Sequence, residues 1–478
     1  MGWCRVIVFD NNSFIASVQN AFLFILQLFF SSMDSTIVVN HSRVESYAFV
    51  ISVVLISLIG LTLFSSSTIG GGALATSIAL HPSPAASASV SIPPSLKCGN
   101  NVCGAGEDIY SCPADCAKKP LYSTYPGYNN FNLVGNICQD SLCQSVSSFT
   151  VTSNGGLAIS AWAPDGLPIF LHQTAVNTPV GPTLSGLDVS KCRTASCSTI
   201  SHASIVSTTF LSGTYYSLSV NAQNVPWIYY APGNGTPGSQ LYRCLSSDCS
   251  SVASPVLFPG VNVSMAIGQD DLPILVHDAY NTLGTQQNEL YVEKCDNVDC
   301  SLNHSVFLDG WAYNGSSSAR PQIILGPDGN PYIVYNGSQE HLKLIRCDTS
   351  DCSSFTVLAN PSKKVIYSAI GFLQNKSPIV AFYHDIPFQT TKNVLLTCSD
   401  SLCSTHSTVD LPGKPGTGAN PSYSVSMASD GKAIIGYNVV LPSGNDQFTI
   451  VKCLDALCQT FSSTQTAVGI GYQHNLST

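Results

Sequence analysis

The chain has 478 residues, long enough for two or three ordinary domains or one large repeat fold. Charged residues make up only 10% of it, against roughly 25% in an average soluble protein, and the formal net charge is −9. That balance lacks the clustered basic residues that nucleic acid calls for. The 36 Gly and 27 Pro do not suit a bundle of spanning helices, and 44% hydrophobic residues exclude a disordered chain. Nineteen cysteines in so acidic a chain point to an oxidising compartment.

Residues 1–46 read as a leader with an ambiguous start, because its apolar patch 21–30 is too short to span a membrane and Met33 would serve as a second start. Cys4 lies here and is given no role. Residues 47–64 carry no charge and are almost entirely apolar, at the short end of what crosses a ~30 Å hydrocarbon core. Two readings fit: a single-pass anchor with the rest of the chain outside, or a signal segment cleaved near Ala85–Ala88. The length favours the anchor. Residues 65–97, rich in Ser, Ala, Gly and Pro, form a flexible linker.

Four cysteines then fall close together at Cys98, Cys103, Cys112 and Cys116. A module this short has no hydrophobic core and needs cross-links or a metal. Two disulfides are expected, with the pairing open. Asn100, Glu107, Asp108 and Asp115 offer hard oxygens suited to calcium; the plainer reading is a disulfide knot acting as a spacer.

The remaining fourteen cysteines form seven C-x4-C pairs: Cys138/Cys143, Cys192/Cys197, Cys244/Cys249, Cys295/Cys300, Cys347/Cys352, Cys398/Cys403 and Cys453/Cys458. They recur every 51 to 55 residues, which marks a repeat architecture. Between them a second element recurs: a strand, a turn on Asp-Gly or its equivalent, then Pro, apolar residues and an aromatic or His, as in 322–335. Asp165-Gly166, Asp328-Gly329 and Asp430-Gly431 are hairpin signals, and Pro is tolerated at the start of a strand. Each unit holds two hairpins, so the fold expected over 131–478 is an all-β propeller of four-stranded blades. Six Asp-Gly units lie between seven cysteine hairpins. Seven blades closed by both termini are expected, with six blades plus an extra hairpin as the alternative. The strand after Pro is the most apolar and is expected innermost, with the cysteine hairpin at the outer edge.

Cysteines flanking a four-residue turn are expected to face each other across an antiparallel pair, with Cα atoms ~4.5–5.5 Å apart and within disulfide range. Each closed loop should stabilise its hairpin by roughly 2 kcal/mol. Zinc would need four ligands where each blade supplies two, and redox catalysis would call for C-x-x-C.

These units resemble repeats of extracellular microbial β-propeller proteins, a largely uncharacterised group distantly similar to Asp-box, sialidase-like propellers. The segment 98–116 is similar to four-cysteine modules of microbial surface proteins, departing from them at Asn101, at Gly104 and by lacking a cysteine just after Glu107. The resemblance implies surface display and no settled activity. A sialidase would also need an arginine triad and full Asp-boxes, yet only Arg193, Arg243, Arg320 and Arg346 follow the anchor. Arg243 and Arg346 share one repeat position just before the first cysteine, as blade scaffolding would. Glutamates are equally few: Glu107, Glu289, Glu293 and Glu340. HExxH, GxSxG and phosphate-binding loops do not occur.

The candidate ligand residues are His172, Tyr230, His277, Tyr335, Phe382 and Tyr437, each four after the Pro or its equivalent Ala433. On an innermost strand they would ring one mouth of the channel and stack on sugars; the competing reading packs them between blades. Ser217, Ser264, Ser368 and Ser424 recur at a second position, suited to hydrogen bonds within each blade. Glycosylation sequons occur at Asn234, Asn262, Asn303, Asn314, Asn336, Asn375 and Asn475. The expectation is a surface-displayed binding or adhesion propeller for glycans or envelope proteins, without cofactor apart from structural calcium. The alternatives are an Asp-box glycoside hydrolase and a structural envelope component.

Overall fold

A computed structural model describes residue 103 and residues 107–465, apart from 125–130, 179–180, 208–214, 232–238, 259, 281–286, 313–320, 338–340, 362–364, 385–390, 416–422 and 441–445. The leader, the apolar segment 47–64, the linker, Cys98, Asn100, Asn234, Asn314, Asn475 and the tail after 465 lie outside these residues. Among the described residues no helix is long and apolar enough to cross a membrane.

The chain forms a seven-bladed propeller. A one-turn helix α1 (Pro113–Cys116) leads into blade 1, made of β1 (Leu121–Thr124), β2 (Leu133–Cys138) and β3 (Val146–Thr152). Blade 2 is β4 (Gly155–Trp162), β5 (Pro168–Thr178), β6 (Gly181–Cys192) and β7 (Ile200–Val206). Blade 3 is β8 (Tyr215–Val220), β9 (Pro226–Ala231), β10 (Ser239–Arg243) and β11 (Val256–Phe258). Blade 4 is β12 (Val261–Ile267), β13 (Pro273–Tyr280), β14 (Gln287–Cys295) and β15 (Asn303–Ala312). Blade 5 is β16 (Gln322–Leu325), β17 (Pro331–Asn336), β18 (Leu342–Cys347) and β19 (Phe355–Ala359). Blade 6 is β20 (Val365–Phe372), β21 (Pro378–His384), β22 (Lys392–Cys398) and β23 (His406–Asp410). In blade 7 the first strand is split into β24 (Lys414–Pro415) and β25 (Tyr423–Met427), both paired with β26 (Ala433–Val440), followed by β27 (Asp446–Cys453) and β28 (Phe461–Gln465). Every pairing is antiparallel and, apart from that of β24 with β26, joins consecutive strands in a meander.

The strand after Pro is second in its sheet, not innermost. First strands of successive blades touch one another around the axis: β4 meets β8, β8 meets β12, β12 meets β16, β16 meets β20 and β20 meets β25. Converging sheets leave the first strands half-exposed toward the channel, as in β8 and β16. The second strand lies between first and third and is covered on both faces by neighbouring blades, so β9 and β17 are buried at all six positions. Its apolar composition reports two-sided burial, which the middle of a blade provides better than the axis.

Seven hydrophobic cores join the blades in sequence, from Leu121, Leu133 and Phe170 between blades 1 and 2 to Leu395, Ile435 and Val451 between blades 6 and 7. The ring shuts where Tyr122 and Cys138 of blade 1 meet Ile434, Phe448 and Ile450 of blade 7. Closure at seven therefore rests on β1, which belongs to the propeller although the sequence places its start at 131. Leu121 pairs with Ile137 as Ile169 pairs with Lys191, making Pro120 the counterpart of Pro168.

All seven C-x4-C pairs are disulfides: Cys138–Cys143, Cys192–Cys197, Cys244–Cys249, Cys295–Cys300, Cys347–Cys352, Cys398–Cys403 and Cys453–Cys458, with Cα atoms 4.6 to 4.8 Å apart. The bonds are those expected, but the cysteines do not face each other across the ladder. Cys138 pairs with Val146, Cys192 with Ile200, Cys295 with Asn303, Cys347 with Phe355, Cys398 with His406 and Cys453 with Phe461. Cys244 bridges to Val252 in the same way. The second cysteine of each pair instead sits inside a longer turn in the left-handed region. Its φ is 52° at Cys143, 53° at Cys197, 55° at Cys249, Cys300 and Cys458, 62° at Cys352 and 50° at Cys403. There its backbone N–H donates to the carbonyl three residues back, from Cys143 to Asp140 O and from Cys458 to Asp455 O, with the same bond at Cys197, Cys249, Cys300, Cys352 and Cys403. This one-turn reversal, rather than strand pairing, brings the second sulfur back to the first.

The cysteine hairpins are the outer halves of the blades, as expected, but their sulfurs are buried within the core shared with the preceding blade. Each disulfide therefore braces its hairpin and seals the outer end of an inter-blade core. A side-chain oxygen two residues after the first cysteine caps the turn: Asp455 accepts from the backbone N–H of Leu457, Gln459 and Thr460, and Asp140 from Leu142, Gln144 and Ser145.

Candidate functional site

Antiparallel meanders place the first turn of each blade and its cysteine turn at one end of the sheets. The connections between second and third strands, and those between blades, emerge at the other end. We call these the turn face and the loop face.

On the turn face the Asp-Gly turns share one geometry. In blade 2 the Ala163 N–H donates to Leu167 O, the Gly166 N–H to Ala163 O, and Gly166 has φ +77°. Only the last residue of the turn is left-handed, so Asn224, Asp271 and Lys376 replace Gly in three blades, with φ of 62° to 69°. The turn aspartates are paired with the cation preceding the first cysteine: Asp165 with Lys191 at 2.6 Å, Asp270 with Lys294 at 2.7 Å, Asp328 with Arg346 at 2.7 Å and Asp430 with Lys452 at 2.6 Å. Three of these cations are buried lysines. Arg243, in the same repeat position, lies over the Trp227 ring at 5.9 Å instead. These acids are therefore engaged in holding strands together.

The four-cysteine module docks against this face. Cys103 is bonded to Cys116, and Cys112 is also disulfide-bonded. The Trp162 indole N–H donates to Lys119 O, tying the module's exit to blade 2, while Tyr110 packs edge-on against Phe372 and under Lys376 of blade 6. The module thus reaches from blades 1 and 2 to blade 6 across the turn face, a docked element where a spacer is the simpler expectation. Of the calcium candidates, Glu107 and Asp115 come together beside Cys112, whereas Asp108 caps its own turn by accepting from Tyr110 and Ser111. Cys112, being in a disulfide, brings no thiolate to that group.

The six candidate ligand residues are all buried on the second strands, within the blades. None lines the channel, because the first strand stands in front of it. Tyr335 donates its hydroxyl to Asp309 at 3.1 Å, and Tyr437 donates to Pro412 O at 2.9 Å. Phe382 and Tyr230 lie in apolar cores. The Ser190 hydroxyl lies 2.8 Å from both His172 Nε2 and His202 Nδ1. Burial lowers the His172 pKa to about 4, against the opposing pull of Gln173 O and Asp188. Among the repeated serines, Ser217, Ser264 and Ser424 pair with the residue just before the candidate position, and Ser368 pairs with Phe382 itself. Ser424 bonds within its blade, while Ser264 accepts from the Ile323 N–H of the next blade.

Of the described sequons, Asn303 and Asn375 are exposed. Asn336 is buried, leaving no room for a glycan, and Asn262 donates its amide to Asp278 at 2.8 Å.

One polar and aromatic group escapes a reading of the repeats. His277 and Glu293 of blade 4 are 1% and 4% exposed, with Nε2 and Oε1 3.5 Å apart. The His277 ring stacks on Tyr291, centroids 6.1 Å apart, and Tyr291 meets Phe307 edge-on at 5.7 Å. The Tyr291 hydroxyl donates to Glu289 Oε2 at 2.6 Å, and that bond raises the tyrosine pKa. Gly260, at φ +105°, makes room for His277: a Cβ there would fall 2.2 Å from Nδ1. Alternation along β14 sets Glu289, Tyr291 and Glu293 on one sheet face, and strand pairing brings His277 and Phe307 alongside them.

No family model matches the chain, and no curated protein does. Among solved structures it is similar to a protein of unknown function from Dyadobacter fermentans DSM 18053, at 10% identity and TM-score 0.45, covering 69% of this chain and 96% of that one. AofleA from Arthrobotrys oligospora aligns at 8% identity and TM-score 0.42, over 75% and 94% of the two chains. A mutant Aleuria aurantia lectin in complex with Fucα1-6GlcNAc aligns at 9% identity and TM-score 0.38, over 67% and 97%.

Proposed function

We propose that this protein is an extracellular binding propeller that recognises glycans or envelope proteins through its loop side. The observation carrying this reading is the division of labour between the two faces. The turn face is committed to ion-paired turns and to the docked module, by which the N-terminal chain enters. The loop face receives the connections that differ from repeat to repeat, where a rigid scaffold leaves sequence free to specify a ligand. Seven buried disulfides suit an oxidising, extracellular setting. The hydrolase alternative is weakened by the pairing of Asp165, Asp270, Asp328 and Asp430 with lysine or arginine. A glycan array and an envelope-fraction pull-down with the oxidised protein test the proposal. Retention of defined polysaccharides or envelope components is expected; no retention of either, with the fold intact, overturns it.

A further inference from the structure

The outer strands of blades 3 and 4 differ in length. Blade 3 ends in β11, three residues long, whereas the neighbouring β15 has ten. Leu275 lies in the core between blades 3 and 4, and His277, two residues on, shares its side of β13. Tyr291 is directly opposite His277, and Phe307 directly opposite Tyr291, so the three rings form a row from the interior to the surface. At the outer end Phe307 is 52% exposed, a large apolar side chain left toward solvent. Gly310, opposite Glu289, has the Phe307 ring 3.6 Å from where a Cβ would sit, so ring and carboxylate lie beside one glycine. Behind them, neither ring nitrogen of His277 has a hydrogen-bond partner among the described residues.

We infer that Phe307, Tyr291 and Glu289 form a sugar-binding subsite on the flank of blade 4, for a residue that is uncharged or carries an ammonium group. The inference rests on the glycan-binding reading above and gives it a location. An exposed aromatic ring offers its face to the C–H side of a pyranose or to a cation. The adjacent carboxylate accepts from hydroxyl or ammonium donors, and Tyr291 fixes the orientation of that carboxylate through its 2.6 Å bond. Glu293, held beside His277, adds a second acid to the same sheet face and disfavours uronate or sulfated residues.

The test compares glucose and glucosamine oligosaccharides with glucuronate-containing ones, by calorimetry, on the intact protein and three variants. Phe307→Ala is expected to bind the favoured oligosaccharide about tenfold more weakly, the scale of one lost stacking contact. Glu289→Gln should weaken glucosamine binding more than glucose binding. Gly310→Leu should block the site from the opposite strand. All three alter exposed or half-exposed positions, and circular dichroism verifies the fold. Glycan binding unchanged in all three variants overturns the subsite while leaving a binding propeller in place. Preference for glucuronate oligosaccharides overturns it as well. Failure of the wild type to bind any glycan removes the glycan reading itself, and the subsite with it.

Discussion

At the level of single residues, the fold is held by side chains that satisfy backbone groups in tight turns. Asp455 shows the balance: burial pushes its pKa up, but the Thr460 hydroxyl and the N–H groups of Gln459, Thr460 and Leu457 outweigh that and hold it at about 2. Asp351 is held at about 2 as well, chiefly by the Thr349 hydroxyl, with burial opposing. Both values lie below the ordinary 3.8, so the unfolded chain binds protons first as pH falls, and stability is lost between about 4 and 2. His172 acts in the same direction at higher pH. It stays neutral in the fold down to about 4, while the unfolded imidazole protonates near 6.5, so stability falls as pH drops from 6.5 to 4. Thermal unfolding across pH 2–8 should show both declines, and His172→Gln should remove only the upper one. Gly329, at φ +78°, permits no Cβ without strain. Gly329→Ala should destabilise by about 1–2 kcal/mol in urea titration, the cost of a left-handed residue with a side chain. Left-handed turn positions were legible only where Gly occupies them. Asn224, Asp271, Lys376 and the second cysteine of every pair carry no comparable sequence signal.

Among the elements, the cysteine hairpin gives the clearest agreement and the most instructive difference. Spacing alone predicts the seven bonds, because four intervening residues can bring the flanking Cα atoms within bonding range. Spacing fixes neither the backbone path between them nor the way the sulfurs point. Cys352 reaches Cys347 by a left-handed turn, and both are fully buried between blades 4 and 5. The double variant Cys347→Ser/Cys352→Ser should lose about 2 kcal/mol from loop entropy, and more from two hydroxyls placed in an apolar core. Dithiothreitol should leave the seven bonds intact under native conditions and reduce them once urea opens the cores; mass mapping after alkylation reads both states. Rapid labelling of these cysteines in the folded protein would contradict the burial.

For the whole molecule, stability depends on ring closure, and closure depends on a strand just outside the recognised repeats. Tyr122 packs against Phe448, centroids 5.4 Å apart, at the junction of the first and last blades. Tyr122→Ala should cost about 3 kcal/mol, comparable with other large-to-small core changes. It should also raise proteolysis near both ends of the ring, whereas Leu257→Ala, at an exposed position, should change neither. Limited proteolysis with urea titration separates the two outcomes.

Residue types and their spacing determined the class of fold, the seven disulfides and the outer position of the cysteine hairpins, because strand alternation, turn chemistry and loop closure are local. Order within the blade was decided by tertiary packing: two-sided burial peaks at the second strand, and a hydrophobic pattern cannot distinguish that from the axis. The six repeated aromatic and histidine positions were found in sequence, but their burial within the blades follows from neighbouring sheets. The short Leu121–Thr124 strand, the docking of Tyr110 on blade 6 and the meeting of Glu289, Glu293, His277 and Tyr291 were likewise decided in three dimensions. Each joins residues whose relation depends on how sheets pair and blades close.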